Sequence, residues 1–171
     1  MEALPQYISK KSEALFTKHS VFSKAEIHAR YDILTESYSK TIAIEALAMI
    51  EITMWKMIPA CIAYQSDLAS LLQQKKACGI NGTSYNTSLE DYLLGQIADL
   101  SAKMLENVKT LEKVVEEAKG EQKVEAQAAL FGGKVVTAMS QLRLTVDELE
   151  GLVSDKHWPL PSYTELLYSV V

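Results

Sequence analysis

The feature that most constrains this chain is one apolar run, Thr41 to Tyr64, TIAIEALAMIEITMWKMIPACIAY. Its apolar residues do not keep to one stripe. Ile42, Ile44, Leu47, Ile50, Met54 and Ile58 fall near one face, while Ala43, Ala46, Met49, Ile52, Trp55 and Met57 fill much of the rest. A helix apolar almost all round is either buried on most sides or spans a membrane. Spanning takes roughly 20 consecutive apolar residues with few charges. Glu45, Glu51 and Lys56 interrupt this run, so the expectation is burial among other helices of the chain or of a partner.

The flanking sequence supplies those helices. Leu4-Pro5 opens a first helix, with Pro5 in the first turn, where its missing N–H would have no partner. Tyr7, Ile8, Ala14, Leu15 and Phe16 carry an amphipathic segment to about Lys18. After a short break at 19–22, Ser23-Lys24-Ala25-Glu26 is a capping box, with Phe22 available as a hydrophobic staple. Ile27, Tyr31, Leu34 and Tyr38 then recur at threes and fours and lead into the central run. Pro59 deletes one hydrogen bond and clashes with the carbonyl of Trp55, which predicts a kink. Ile62, Leu68, Leu71 and Leu72 keep the period beyond it, and Gly79 is the expected stop. Residues 80–87, with Asn81-Gly82 as a turn dipeptide, read as a loop. Ser88 is the expected cap of the next helix.

Two long helices follow. Leu89, Leu93, Ile97, Leu100, Met104, Val108, Leu111 and Val115 step close to a heptad seam. Beyond Gly120 the seam is answered by Ala128, Phe131, Val135, Leu142, Val146, Leu149 and Val153. Such helices, joined by a short turn, should lie antiparallel. Pro159 and Pro161 stop the second, and Ser162-x-x-Glu165 starts a last turn. No segment reads as a strand. The predicted fold is all-α, an elongated bundle of three long helices with a short helix at each end, forming a single domain over residues 1–171.

Chemistry-bearing motifs are scarce. His19, His28 and His157 stand apart, and no C-x-x-C, H-E-x-x-H or E-x-x-H pair occurs. His28 and Asp32 lie one turn apart but read as a surface pair. Cys61 sits in the apolar run, where a free cysteine behaves as a small hydrophobe. Gly132-Gly133 lies within helical pattern on both sides, so it reads as close helix packing or a local bend rather than a phosphate cradle. The carboxylates Glu116-Glu117 and Asp147-Glu148 with Glu150 read as a solvated face. A formal net charge of -5, without a basic stripe, argues against nucleic acid. On one helix Cys61 and Cys78 would be roughly 25 Å apart, too far for a disulfide. Two reduced thiols and no visible signal peptide point to the cytoplasm. No catalytic, cofactor-binding or metal-binding residue is assigned. Met49, Met54, Trp55, Met57 and Tyr64 remain open between core and docking surface. The residues alone describe a helical packing or interaction module.

Three segments carry a resemblance: LPQYISKKSEALFTKHSVFSKAEIHARYDI (4–33), YSKTIAIEALAMIEITMWKMIPACIAY (38–64) and LRLTVDELEGLVSDKHWPLPSYTELLYSV (142–170). In this order they resemble the C-terminal region of type III, long-form, glutamine synthetase. Lys40 to Leu47 and Trp158 to Tyr163 are its most specific parts, while 85–130 adds little. The resemblance implies a parent ligase that joins ammonia to glutamate with ATP and Mg or Mn, as a ring-shaped homo-oligomer. The family's metal-binding glutamates, ATP-contacting segment and catalytic arginines have no counterpart motif here, which implies a fragment of a longer chain. Its expected partners are the parent's catalytic domain and neighbouring subunits, with no nucleic acid and no membrane. A free-standing interaction module is the alternative.

Overall fold

A computed structural model describes residues 3–78, 85–161 and 163–168, without the side chains of 163 and 164. The fold is all-α, a helical bundle with no strand among the described residues. The helices are α1 (Leu4–Tyr7), α2 (Lys10–Lys18), α3 (Lys24–Ile52), α4 (Ile58–Ala77), α5 (Ser88–Gly120), α6 (Val124–Leu130), α7 (Val136–Glu150) and α8 (Tyr163–Tyr168). A π-helical turn, Thr53–Met57, joins α3 to α4, and another, Phe131–Val135, joins α6 to α7. The three long helices are thus α3–α4, α5 and α6–α7. Gly79, the Asn81-Gly82 turn and Ser162 of the second capping box lie outside the described residues.

Local chemistry explains most boundaries. The expected first helix is two, because Ser9 adopts extended backbone and its hydroxyl caps α2 at the Ser12 N–H. Ser20 follows the last turn of α2 with φ of 52°. Its N–H bonds to Thr17 O and that of Val21 to Phe16 O, so the break at 19–22 is a Schellman stop with serine where glycine is usual. The Ser23–Glu26 box forms as predicted. Glu26 accepts from the Ser23 N–H at 2.7 Å, and the Glu26 N–H donates to the Ser23 hydroxyl at 3.3 Å. Those bonds hold the Glu26 carboxyl below its usual range. Phe22 packs against Phe16 and lies under the Arg30 guanidinium, 4.4 Å from its ring centre.

Ser88 is not the cap of α5. The first helical bond runs from the Asp91 N–H to Thr87 O, so Thr87 is the cap, its hydroxyl donating to the Asp91 carboxylate at 2.9 Å. Pro59 does not end the long helix. Its ring nitrogen offers nothing to the Trp55 carbonyl, and the wider turn just before it takes up the disturbance, with the Ile58 N–H reaching back to Thr53 O. Gly132-Gly133 lies in the second π turn. Gly133 is exposed and a Cβ there would meet nothing within 4 Å, so close packing is not its role.

The chain forms two compact units, Met1–Met49 with Thr110–Ser140, and Ile50–Lys109 with Gln141–Val171. In the first, Ile27, Tyr31, Ile42 and Ala46 are buried, as are Leu111, Val115, Ala118, Ala128, Phe131 and Val135. Glu13, on α2, takes a hydrogen bond from His28 Nε2 at 2.7 Å and pairs with Lys24 at 3.1 Å. The His28 bond first, then Lys24, draws the Glu13 carboxyl below its ordinary value of 4.5. His28 is therefore engaged by Glu13, on another helix. The Tyr31 hydroxyl donates to Glu125 at 3.1 Å; burial first, then that carboxylate, pushes its phenol up. Lys134 pairs with Glu117 across α5 and the second π turn.

In the second unit the core comes from Met57, Cys61, Leu68 and Leu72 on the long helix, Ile97, Met104 and Val108 on α5, and Leu142, Leu149 and Val153. Polar contacts fix the helix directions. Lys75 meets Glu90 at 2.6 Å and Gln65 meets Ser101 at 3.4 Å, so α4 and α5 run antiparallel. Asn107 donates to Gln141 O and, at 2.9 Å, to the Thr145 hydroxyl, which sets α7 antiparallel to α5. The seams predicted for α5 and α7 need two corrections. Leu89 is 65% exposed and Glu90 is buried in its place, held by Lys75. Thr145, not Val146, is the deeper residue on α7.

Candidate interaction surface

The long helix Lys24–Ala77 is long and apolar enough, by length and composition, to cross a membrane, yet only 28% of its most apolar window is buried. Where that window enters the second unit, the two sides of the helix separate. Thr53, Met57, Ala60 and Cys61 face inward. Spacings of four would drift in a regular α-helix of about 3.6 residues per turn; the π turn holds Thr53, Met57 and Cys61 on one side. Burial raises the Cys61 thiol above its ordinary value, as expected of a packed, unreactive sulfur.

Outward lie Trp55 at 75% exposed, Ile62 at 60% and Met54 at 40%, with Pro59 exposed between them. Trp55, Pro59 and Ile62 recur at i, i+4 and i+7, one face of a helix. From Ile52 to Ser66 the sequence carries a single charge, Lys56. The result is an apolar face with a large aromatic at its centre, uncovered within its own unit.

The five candidates therefore divide. Met54 and Trp55 are exposed, Met49 is half-buried in the first unit, and Met57, 3% exposed, belongs to the core of the second. Tyr64 is half-buried and turned to another task. Its ring lies 5.3 Å from that of His157, and His157 Nε2 is 3.1 Å from the Asp67 carboxylate. Together these pin the segment after α7 to α4. Pro59 and Ile62 complete the face but were not singled out from the sequence. Proline had been read only as a helix breaker, and Ile62 only as a core position.

The same unit holds a cleft of about 680 Å³ lined by Glu150, Asp155, Trp158, Pro159, Leu160, Pro161 and Glu165. No lysine or arginine lines it. Among the described residues no group of three His, Cys, Asp or Glu side chains is placed to hold a metal ion. The arrangement can bury apolar surface; it assembles no nucleophile, base and orienting group of the kind a reaction needs.

Fold and surface together define a class, a helical packing domain with one apolar face left uncovered. Residues 1–76, which span α1 to α4, match the family described as Glutamine synthetase C-terminal domain. The chain is 37% identical over 172 residues to a glutamine synthetase of Butyrivibrio fibrisolvens, covering 99% of this chain and 24% of that protein. It is 29% identical over 168 residues to the Type-3 glutamine synthetase of Dictyostelium discoideum, and 24% identical over 170 to a glutamine synthetase of Bacteroides fragilis. The chain belongs to the glutamine synthetase C-terminal domain family. It spans about a quarter of the length of these curated relatives.

Proposed function

We propose that this chain is the non-catalytic, helical C-terminal domain of a long-form, cytoplasmic glutamine synthetase. In this reading the domain packs against the catalytic region of the same chain and supports assembly of the homo-oligomer. Ligation of ammonia to glutamate, with its ATP and Mg or Mn, is the work of that catalytic region. The observation that carries the reading is the uncovered apolar face around Trp55 in a chain whose relatives are about four times as long. A face of that kind on a helix already packed on its other side asks for a further protein surface.

The test is removal of the domain from the long chain, followed by glutamine formation and particle size. Loss of assembly, with loss of activity in step, is expected. A truncated enzyme that assembles and turns over normally refutes the packing role. Metal- and ATP-dependent glutamine formation by the 171-residue chain alone refutes the non-catalytic reading.

A further inference from the structure

We infer that the face formed by Met54, Trp55, Pro59 and Ile62 is the seat of the remaining polypeptide of the long chain, with Trp55 as the anchor. This rests on the reading just given and assigns it a surface. Tryptophan is the side chain most enriched among residues that dominate binding energy, and such residues sit at the centre of a desolvated patch. Trp55 occupies that position. It is the most exposed large apolar residue on the long helix, flanked by apolar neighbours one turn away.

Three occupants compete for the face. A bilayer is disfavoured because the weakly charged stretch, 52–66, is shorter than the roughly 20 residues that span one, and because Thr53, Met57 and Cys61 already bind the helix into a protein core. A second copy of this domain would compete with a surface tethered to the same molecule. Covalent linkage gives that surface an effective concentration near the millimolar range for a short connection, which a separate subunit does not match at ordinary protein concentrations. The relatives carry the corresponding region in chains of which it is 23–24%, so each copy brings its own covering surface.

The experiment is hydroxyl-radical footprinting read by mass spectrometry, comparing Trp55 in the 171-residue chain and in the long chain that contains it. Trp158, the other tryptophan, serves as reference. Oxidation of Trp55 is expected to fall at least fivefold in the long chain. Trp55→Glu in the long chain is expected to expose Met54 to oxidation again, while the same substitution leaves the helix content of the 171-residue chain unchanged. Equal Trp55 oxidation in both chains overturns the inference. So does protection in the 171-residue chain that grows with its concentration, which would assign the face to a second copy. Protection of that chain by anionic phosphatidylserine vesicles would assign it to lipid and overturn it too. Trp55 left unprotected in a long chain that still needs the domain for assembly would sink this inference alone and leave the proposed function standing.

Discussion

Two aromatic deletions should separate what the domain needs to fold from what it offers to others. Phe131 is 2% exposed in the core of the first unit and Trp55 is 75% exposed in the second. Phe131→Ala removes a fully buried ring and leaves a cavity, a change that costs about 3–5 kcal/mol. Trp55→Ala removes a larger side chain of which only about a quarter is covered. A buried aromatic covers roughly 150–250 Å², so the loss is roughly 40–60 Å², or about 1–1.5 kcal/mol at 25 cal/mol/Å². Urea unfolding of the 171-residue chain, followed by far-UV circular dichroism, measures both. With a slope of about 2 kcal/mol/M, Phe131→Ala should lower the midpoint by roughly 2 M and Trp55→Ala by well under 1 M. If Trp55→Ala proves as costly as Phe131→Ala, the tryptophan is serving its own domain and the case for an external contact collapses.

Three further substitutions probe the internal contacts. Glu13 is held below its ordinary value of 4.5, chiefly by His28 and then by Lys24. Its contribution is complete above that value and lost as pH falls through the lowered one, so Glu13→Gln should flatten the fall in melting temperature below about pH 4.5; an unchanged slope counts against the pairing. Asn107→Ala removes the donor to Thr145, which is 1% exposed, and should cost about 1–3 kcal/mol in urea unfolding. Ser20→Gly relieves a serine held at positive φ and should raise stability by up to about 1 kcal/mol; a loss of stability would mean the Ser20 side chain matters more than its backbone strain.

Much of this arrangement could be read from residues that act locally. The Ser23–Glu26 box, the helix-opening Pro5 and the α5 and α7 seams all depend on neighbours within a turn or two, and each appears in the structure. What escaped is non-local or lies outside α geometry. Burial of Glu90 depends on Lys75, fifteen residues earlier, and a hydropathy pattern scores a glutamate as surface. Thr145 is buried because Asn107 reaches it from another helix. The two π turns leave no mark in a period-3.6 scan. The candidate surface was half legible: the run around Trp55 showed too many apolar faces for one side to cover. Choosing between Met57 inside and Trp55 outside required the turn that orients them.

That turn has a consequence for how this sequence can vary. The segment Thr53–Met57 holds one residue more than a regular helix would use, and Cys61, Leu68 and Leu72 are set in place by it. Deleting a single residue there would let the helix relax to ordinary pitch, swinging everything downstream by roughly 100°. Buried positions would rotate toward water and Ile62 toward the interior. Length changes should therefore be tolerated in the linker at 121–123, between α5 and α6, and selected against in this one turn.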